Sequence, residues 1–130
     1  MSRDAASMTG LWHGLYSYPA VLRPVFFVAT LISHGSGFSG RIQEAARGTE
    51  GAPLVLGATV VGRAAAGTVE FTKSYEGAWH HAVLYAGRLS ADRTEIEGAW
   101  TIPGVWSGRF LMMRGERAEE AELRRAWEEA

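Results

Sequence analysis

The stretch WHHAVLYAGRLSADRTEIEGAWTIPGVWSGRFLMMR, residues 79–114, decides the fold. Its apolar residues recur at every second position, the period of a half-buried strand. In 94–102, Ile96, Gly98, Trp100 and Ile102 share one face, and Glu95, Glu97 and Thr101 share the other. The first set faces a core, because a one-residue slip would move every side chain to the wrong side. In 79–89, Val83, Tyr85, Gly87 and Leu89 fall on one face; in 106–114, Gly108, Phe110 and Met112 alternate with Arg109 and Leu111. The separators, Ser90-Ala91-Asp92-Arg93 and Pro103-Gly104, are turn formers too short for a parallel crossover, so neighbouring strands pair antiparallel. A tight turn at Ala91-Asp92 sets Arg88 opposite Glu95 outside and Gly87 opposite Ile96 inside.

Working outward, the same period extends back to residue 10. It predicts strands at 10–18, 24–33, 37–44, 54–64, 68–75, 79–89, 94–102 and 106–114. Eight antiparallel strands in sequence order form a meander that can close and remove its own edges. The expected fold class is all-β: an eight-stranded antiparallel up-and-down β-barrel with a short C-terminal α-helix. That helix is assigned to 115–130, GERAEEAELRRAWEEA, from its Ala, Glu, Leu and Arg content and the Leu123/Trp127 spacing of four. Residues 1–9 are read as a flexible lead.

Four copies of Gly-Arg punctuate the strands, at Gly40-Arg41, Gly62-Arg63, Gly87-Arg88 and Gly108-Arg109. A phosphate-cradling loop needs such glycines before a helix N-terminus, and no helix follows them. The wider pattern is apolar-x-Gly-x-apolar. It places glycine inside, where a small barrel must coil or admit an aromatic ring, and arginine outside in water.

Composition narrows the function classes. The chain has 130 residues, 47% of them hydrophobic, which suits one globular domain. A net charge of −1 gives no global field for nucleic acid or an anionic membrane, so neither is expected as a partner. There is no cysteine, hence no disulfide framework or thiolate metal site. The opening MSRDAASMTG has no signal-peptide pattern, and a cytoplasmic location is the default. Lys73 is the sole lysine among thirteen basic residues.

Gly10-Leu11-Trp12 at the start of the first strand and Arg114 at the end of the last resemble the calycin group: lipocalins, fatty-acid-binding proteins and avidins. That resemblance implies a tryptophan closing the barrel floor under a basic residue, a cation–π contact. A second resemblance is to small bacterial barrels with the pattern F-T-K-x-Y, H-x-V-x-Y-x-G, I-x-G-x-W and G-x-F. Here these are Phe71-Thr72-Lys73-Ser74-Tyr75, His81 to Gly87, Ile96 to Trp100 and Gly108-Arg109-Phe110. It implies a fold and no activity. The polar run that follows G-x-W in avidins is replaced by His13-Gly14-Leu15-Tyr16, which argues against biotin.

The up-and-down order puts the longest connections, 45–53 and 19–23, at the end opposite Trp12 and Arg114. That end is the expected mouth, where barrels often hold ligands. The candidate ligand-binding residues there are Tyr16, Glu44, Lys73, Tyr75, His81, Tyr85 and Trp100. Lys73, at a strand end, snorkels to water, anchors a ligand anion or serves as an internal partner for Glu44; the sequence leaves all three open. Three function classes stay open: a lipocalin-like barrel binding a small apolar or aromatic, in one variant anionic, molecule; an isomerase or hydrolase using His81 with Lys73 or Glu44; and a filled barrel acting through its wall or its C-terminal helix, including homodimerisation. No cofactor or metal is expected.

Overall fold

A computed structural model describes residues 7–17, 25–47, 53–76 and 82–114. Eight strands close into one barrel in strict sequence order. They are β1 (Gly10–Tyr16), β2 (Val25–His34), β3 (Gly37–Arg47), β4 (Pro53–Ala65), β5 (Thr68–Tyr75), β6 (Ala82–Leu89), β7 (Glu95–Ile102) and β8 (Trp106–Arg114). Every neighbouring pair is antiparallel. The ring is sealed by β1 against β8, from Trp12 opposite Arg114 to Tyr16 opposite Phe110. Closure satisfies the backbone groups that an open sheet would leave bare on its edges.

The inward faces are those the alternation assigns. Trp12, Phe27, Phe38, Ile42, Val69, Phe71, Tyr85, Ile96 and Phe110 are all buried in one core. Its centre is aromatic. Phe71 stacks on Tyr85 with ring centroids 4.6 Å apart, and Phe110 meets Tyr85 edge-on at 4.9 Å. These are the offset and perpendicular arrangements that ring quadrupoles favour. The inward glycines make room for that packing. A Cβ on Gly98 would lie 2.1 Å from the Ala86 carbonyl oxygen and 2.4 Å from Gly87 Cα, the glycine directly across on β6. Only two facing glycines let β6 and β7 approach this closely.

Two expectations are corrected. The fold is an all-β closed barrel, and the described residues contain no helix; the expected C-terminal α-helix falls on residues 115–130, outside them. That expectation rested on propensity and one narrow apolar pair, which do not by themselves hold a helix of that length. The β6–β7 register is also two residues wider than a tight turn gives. Arg88 faces Glu97, Gly87 faces Gly98, and Leu89 faces Ile96. The cause is a loop organised by Asp92, whose Oδ1 accepts hydrogen bonds from the hydroxyls of Ser90 and Thr94, each at 2.7 Å. Arg93 completes it with φ 61°. The Ser90 bond, then those from Thr94, hold the Asp92 carboxyl below its usual pKa. A shift of two preserves which side chains face in, so the core assignment survives the register error.

The floor is built by residues flanking the barrel. Met8, which the sequence places ahead of the first strand, is fully buried. Its carbonyl accepts a hydrogen bond from Trp12 Nε1 at 3.0 Å. The Arg114 guanidinium lies 4.5 Å from the Trp12 ring centroid, the contact implied by the resemblance, and Nη2 donates to the Ser7 carbonyl at 2.7 Å.

Candidate functional site

At the opposite end, β3 and β4 stay paired as far as Arg47 opposite Pro53, so the strands reach into both ends of the connection expected at 45–53, whose residues 48–52 lie outside those described. Beneath this hairpin the barrel carries two buried charges, Glu44 and Lys73. Each is on the inward face for the reason the alternation gives: Glu44 is in phase with Ile42, and Lys73 with Phe71. β4 lies between their strands, and it contributes Ala58 opposite Tyr75 and Val60 opposite Lys73. Such small side chains let groups from β5 reach across to β3.

Lys73 Nζ sits 2.5 Å from Glu44 Oε2. Tyr75 donates to the same carboxylate at 2.9 Å, and Tyr16 donates to Oε1 at 3.0 Å. The ammonium is caged by aromatic faces: 4.6 Å from the Tyr16 and Tyr75 ring centroids and 5.3 Å from Tyr85. Burial lowers the Lys73 pKa from its ordinary 10.5, opposed by the Glu44 charge and its hydrogen bond.

A cavity of about 160 Å³ adjoins the pair, lined by Tyr16, Lys73, Tyr75, Val83, Tyr85, Trp100, Ile102 and Trp106. Trp100 is fixed by donating Nε1–H to the Ser17 carbonyl at 2.8 Å and packs edge-on against Tyr16 and Trp106. A larger depression of about 490 Å³ runs along the outer wall of β4–β6, edged by Val61, Arg63, Glu70, Thr72 and Leu84. It has no convergent buried polar groups, so the smaller mouth-end cavity is the better candidate site.

Six of the seven residues named from sequence meet here: Tyr16, Glu44, Lys73, Tyr75, Tyr85 and Trp100. His81 lies outside the described residues. Of the three roles open to Lys73, the internal partner of Glu44 is the one observed, and its burial rules out snorkelling to water. Sequence reasoning missed Val83 and Ile102 as lining residues, although both share the inward phase of their strands. Their phase was legible, but whether an inward aliphatic side chain fills the core or borders a void depends on packing across the barrel.

The class the geometry defines is a closed eight-stranded antiparallel barrel with a small aromatic cavity over a buried ion pair. Among solved structures, the chain is similar to a de novo designed fluorescence-activating β-barrel, with a TM-score of 0.58 and 10% sequence identity, covering 88% of this chain and 100% of that one. At that identity the likeness concerns the fold alone. No protein-family model and no curated protein matches the chain.

Proposed function

We propose that the protein is a binding barrel for a compact, single-ring aromatic molecule carrying a hydrogen-bonding substituent. The observation that carries this reading is the 160 Å³ cavity, walled by Tyr16, Tyr85, Trp100 and Trp106 and bordered by Lys73. Its size decides the ligand class. An apolar void of about 150 Å³ accommodates benzene, whereas drug-sized ligands need at least about 300 Å³. The substituent meets the Lys73, Tyr16 and Tyr75 cluster. Because Glu44 already balances Lys73, the site asks for a neutral ligand rather than an anion. The lower half of the barrel is filled by Phe38, Phe71 and Phe110, so binding is confined to the mouth end. A designed barrel of the same fold that activates fluorescence supports the use of this architecture for ligands. The Arg114–Trp12 floor supports a lipocalin-like kinship.

Tryptophan fluorescence tests the reading, since Trp100 and Trp106 both line the cavity. Nitrobenzyl alcohol should quench it saturably, with a Kd of roughly 10 µM to 1 mM for so few ligand atoms. Ile102→Trp, which fills the cavity from its edge, should weaken binding by about tenfold or more. Non-saturating quenching, or equal affinity in that variant, would remove the proposal.

A further inference from the structure

Lys73 has no evident structural reason to be buried. Its charged partner among the described residues, Glu44, is buried with it, and a buried pair of this kind rarely adds stability over apolar residues of similar volume. What the pair does provide is a buried primary amine in an aromatic cage, bordering a cavity of one-ring size, with a carboxylate 2.5 Å away. Amines so placed act as nucleophiles toward carbonyl carbon.

We propose that Lys73 forms a reversible imine with small aromatic aldehydes held in the mouth-end cavity, with Glu44 as proton carrier and counter-ion. This rests on the binding reading above and names its reactive ligand class. The ammonium passes one proton to Glu44. The free amine then attacks the aldehyde carbon, forming the N–C bond and opening the C=O π bond. A proton moves from nitrogen to oxygen to give the neutral carbinolamine. Glu44 returns its proton to the hydroxyl, and water leaves as the C=N bond forms. The product is a protonated imine beside the restored Glu44 carboxylate. One water is released, and neither oxidant nor reductant is needed. Burial supports the first step by lowering the Lys73 pKa. Tyr16 and Tyr75, both donating to the carboxylate, keep Glu44 aimed at the nitrogen.

The test is borohydride trapping with benzaldehyde, followed by intact mass and peptide mapping. Lys73 is the sole lysine of the chain, so a side-chain adduct has one address. One adduct at Lys73 is expected, saturating with aldehyde and suppressed by excess benzyl alcohol, which fills the cavity but cannot form an imine. Glu44→Gln keeps the amine and should slow trapping by about 100-fold, the usual scale of general acid–base assistance. Thermal unfolding of that variant separates lost folding from lost proton transfer. If it is unfolded, Tyr75→Phe, which removes one donor to the carboxylate, should still slow trapping severalfold in a folded barrel. The absence of a Lys73 adduct, or an adduct that benzyl alcohol does not suppress, overturns the inference. Benzyl alcohol binding, read by tryptophan fluorescence, then says whether the binding site stands without the imine or falls with it.

Discussion

At the scale of single residues, the Lys73–Glu44 pair governs both stability and chemistry. Lys73→Met leaves the Glu44 carboxylate buried without its cation, and the expected loss in urea unfolding is about 3–5 kcal/mol. Adding Glu44→Gln removes the stranded charge while leaving an oxygen to accept from Tyr16 and Tyr75. The double variant should recover most of that loss; if it stays as unstable as the single variant, the ion pair is not the source. The same comparison carries a pH signature. The folded-state pKa of Lys73 lies below 10.5, so between the two values the unfolded chain holds the extra proton. Unfolding free energy therefore rises with pH through that window, and the burial penalty is fully lifted above 10.5. The wild type should gain on the neutral double variant as pH rises toward that value, and parallel stability curves would contradict the shift.

At the scale of the strand, each Gly-Arg copy divides into two unequal positions. On β8, a Cβ at Gly108 would lie 2.1 Å from the Ser17 carbonyl oxygen and 2.6 Å from Trp100 Nε1. Gly108→Ala therefore pushes apart the two groups whose hydrogen bond fixes Trp100 in the cavity wall. A destabilisation of about 1–3 kcal/mol is expected, together with weaker quenching by nitrobenzyl alcohol. Its neighbour Arg109 points outward, where it reaches Glu97 at 3.5 Å with both side chains more than half exposed. Arg109→Ala should change stability by less than about 0.5 kcal/mol. Equal effects of the two substitutions in thermal unfolding would undo the division. The strand scale also explains the β6–β7 register. Hydrophobic phase fixes a strand only to within an even number of residues, and the loop chemistry chooses among them. Here Asp92 and the left-handed Arg93 select the wider loop.

At the scale of the whole molecule, closure separates the barrel into two ends with different duties. The floor joins the first and last strands through Trp12 and Arg114 and is capped by Met8. The Arg114 pKa is lowered by partial burial and by Arg93 nearby, as suits a guanidinium pressed onto a ring. Arg114→Ala removes the cation–π contact and the hydrogen bonds to the Ser7 and Thr9 carbonyls. A loss of about 1–3 kcal/mol is expected. Affinity at the mouth should hold, because neither Trp12 nor Arg114 lines the cavity. Weaker ligand binding at equal folded fraction would show that the two ends are coupled.

The sequence by itself determined the number of strands, their order and their inward faces. Each follows from local physics: a period of two, turn formers at the junctions, and the need to bury one face. It also marked Glu44 and Lys73 as charges in inward phase, and both are buried. Tertiary structure alone decided that those two charges meet, because they lie on strands separated by β4 and join only across the small side chains of Ala58 and Val60. It decided, too, that the mouth keeps a cavity of about 160 Å³ while the floor is filled. Volume is a property of how opposite walls interdigitate. No pattern along one strand encodes it.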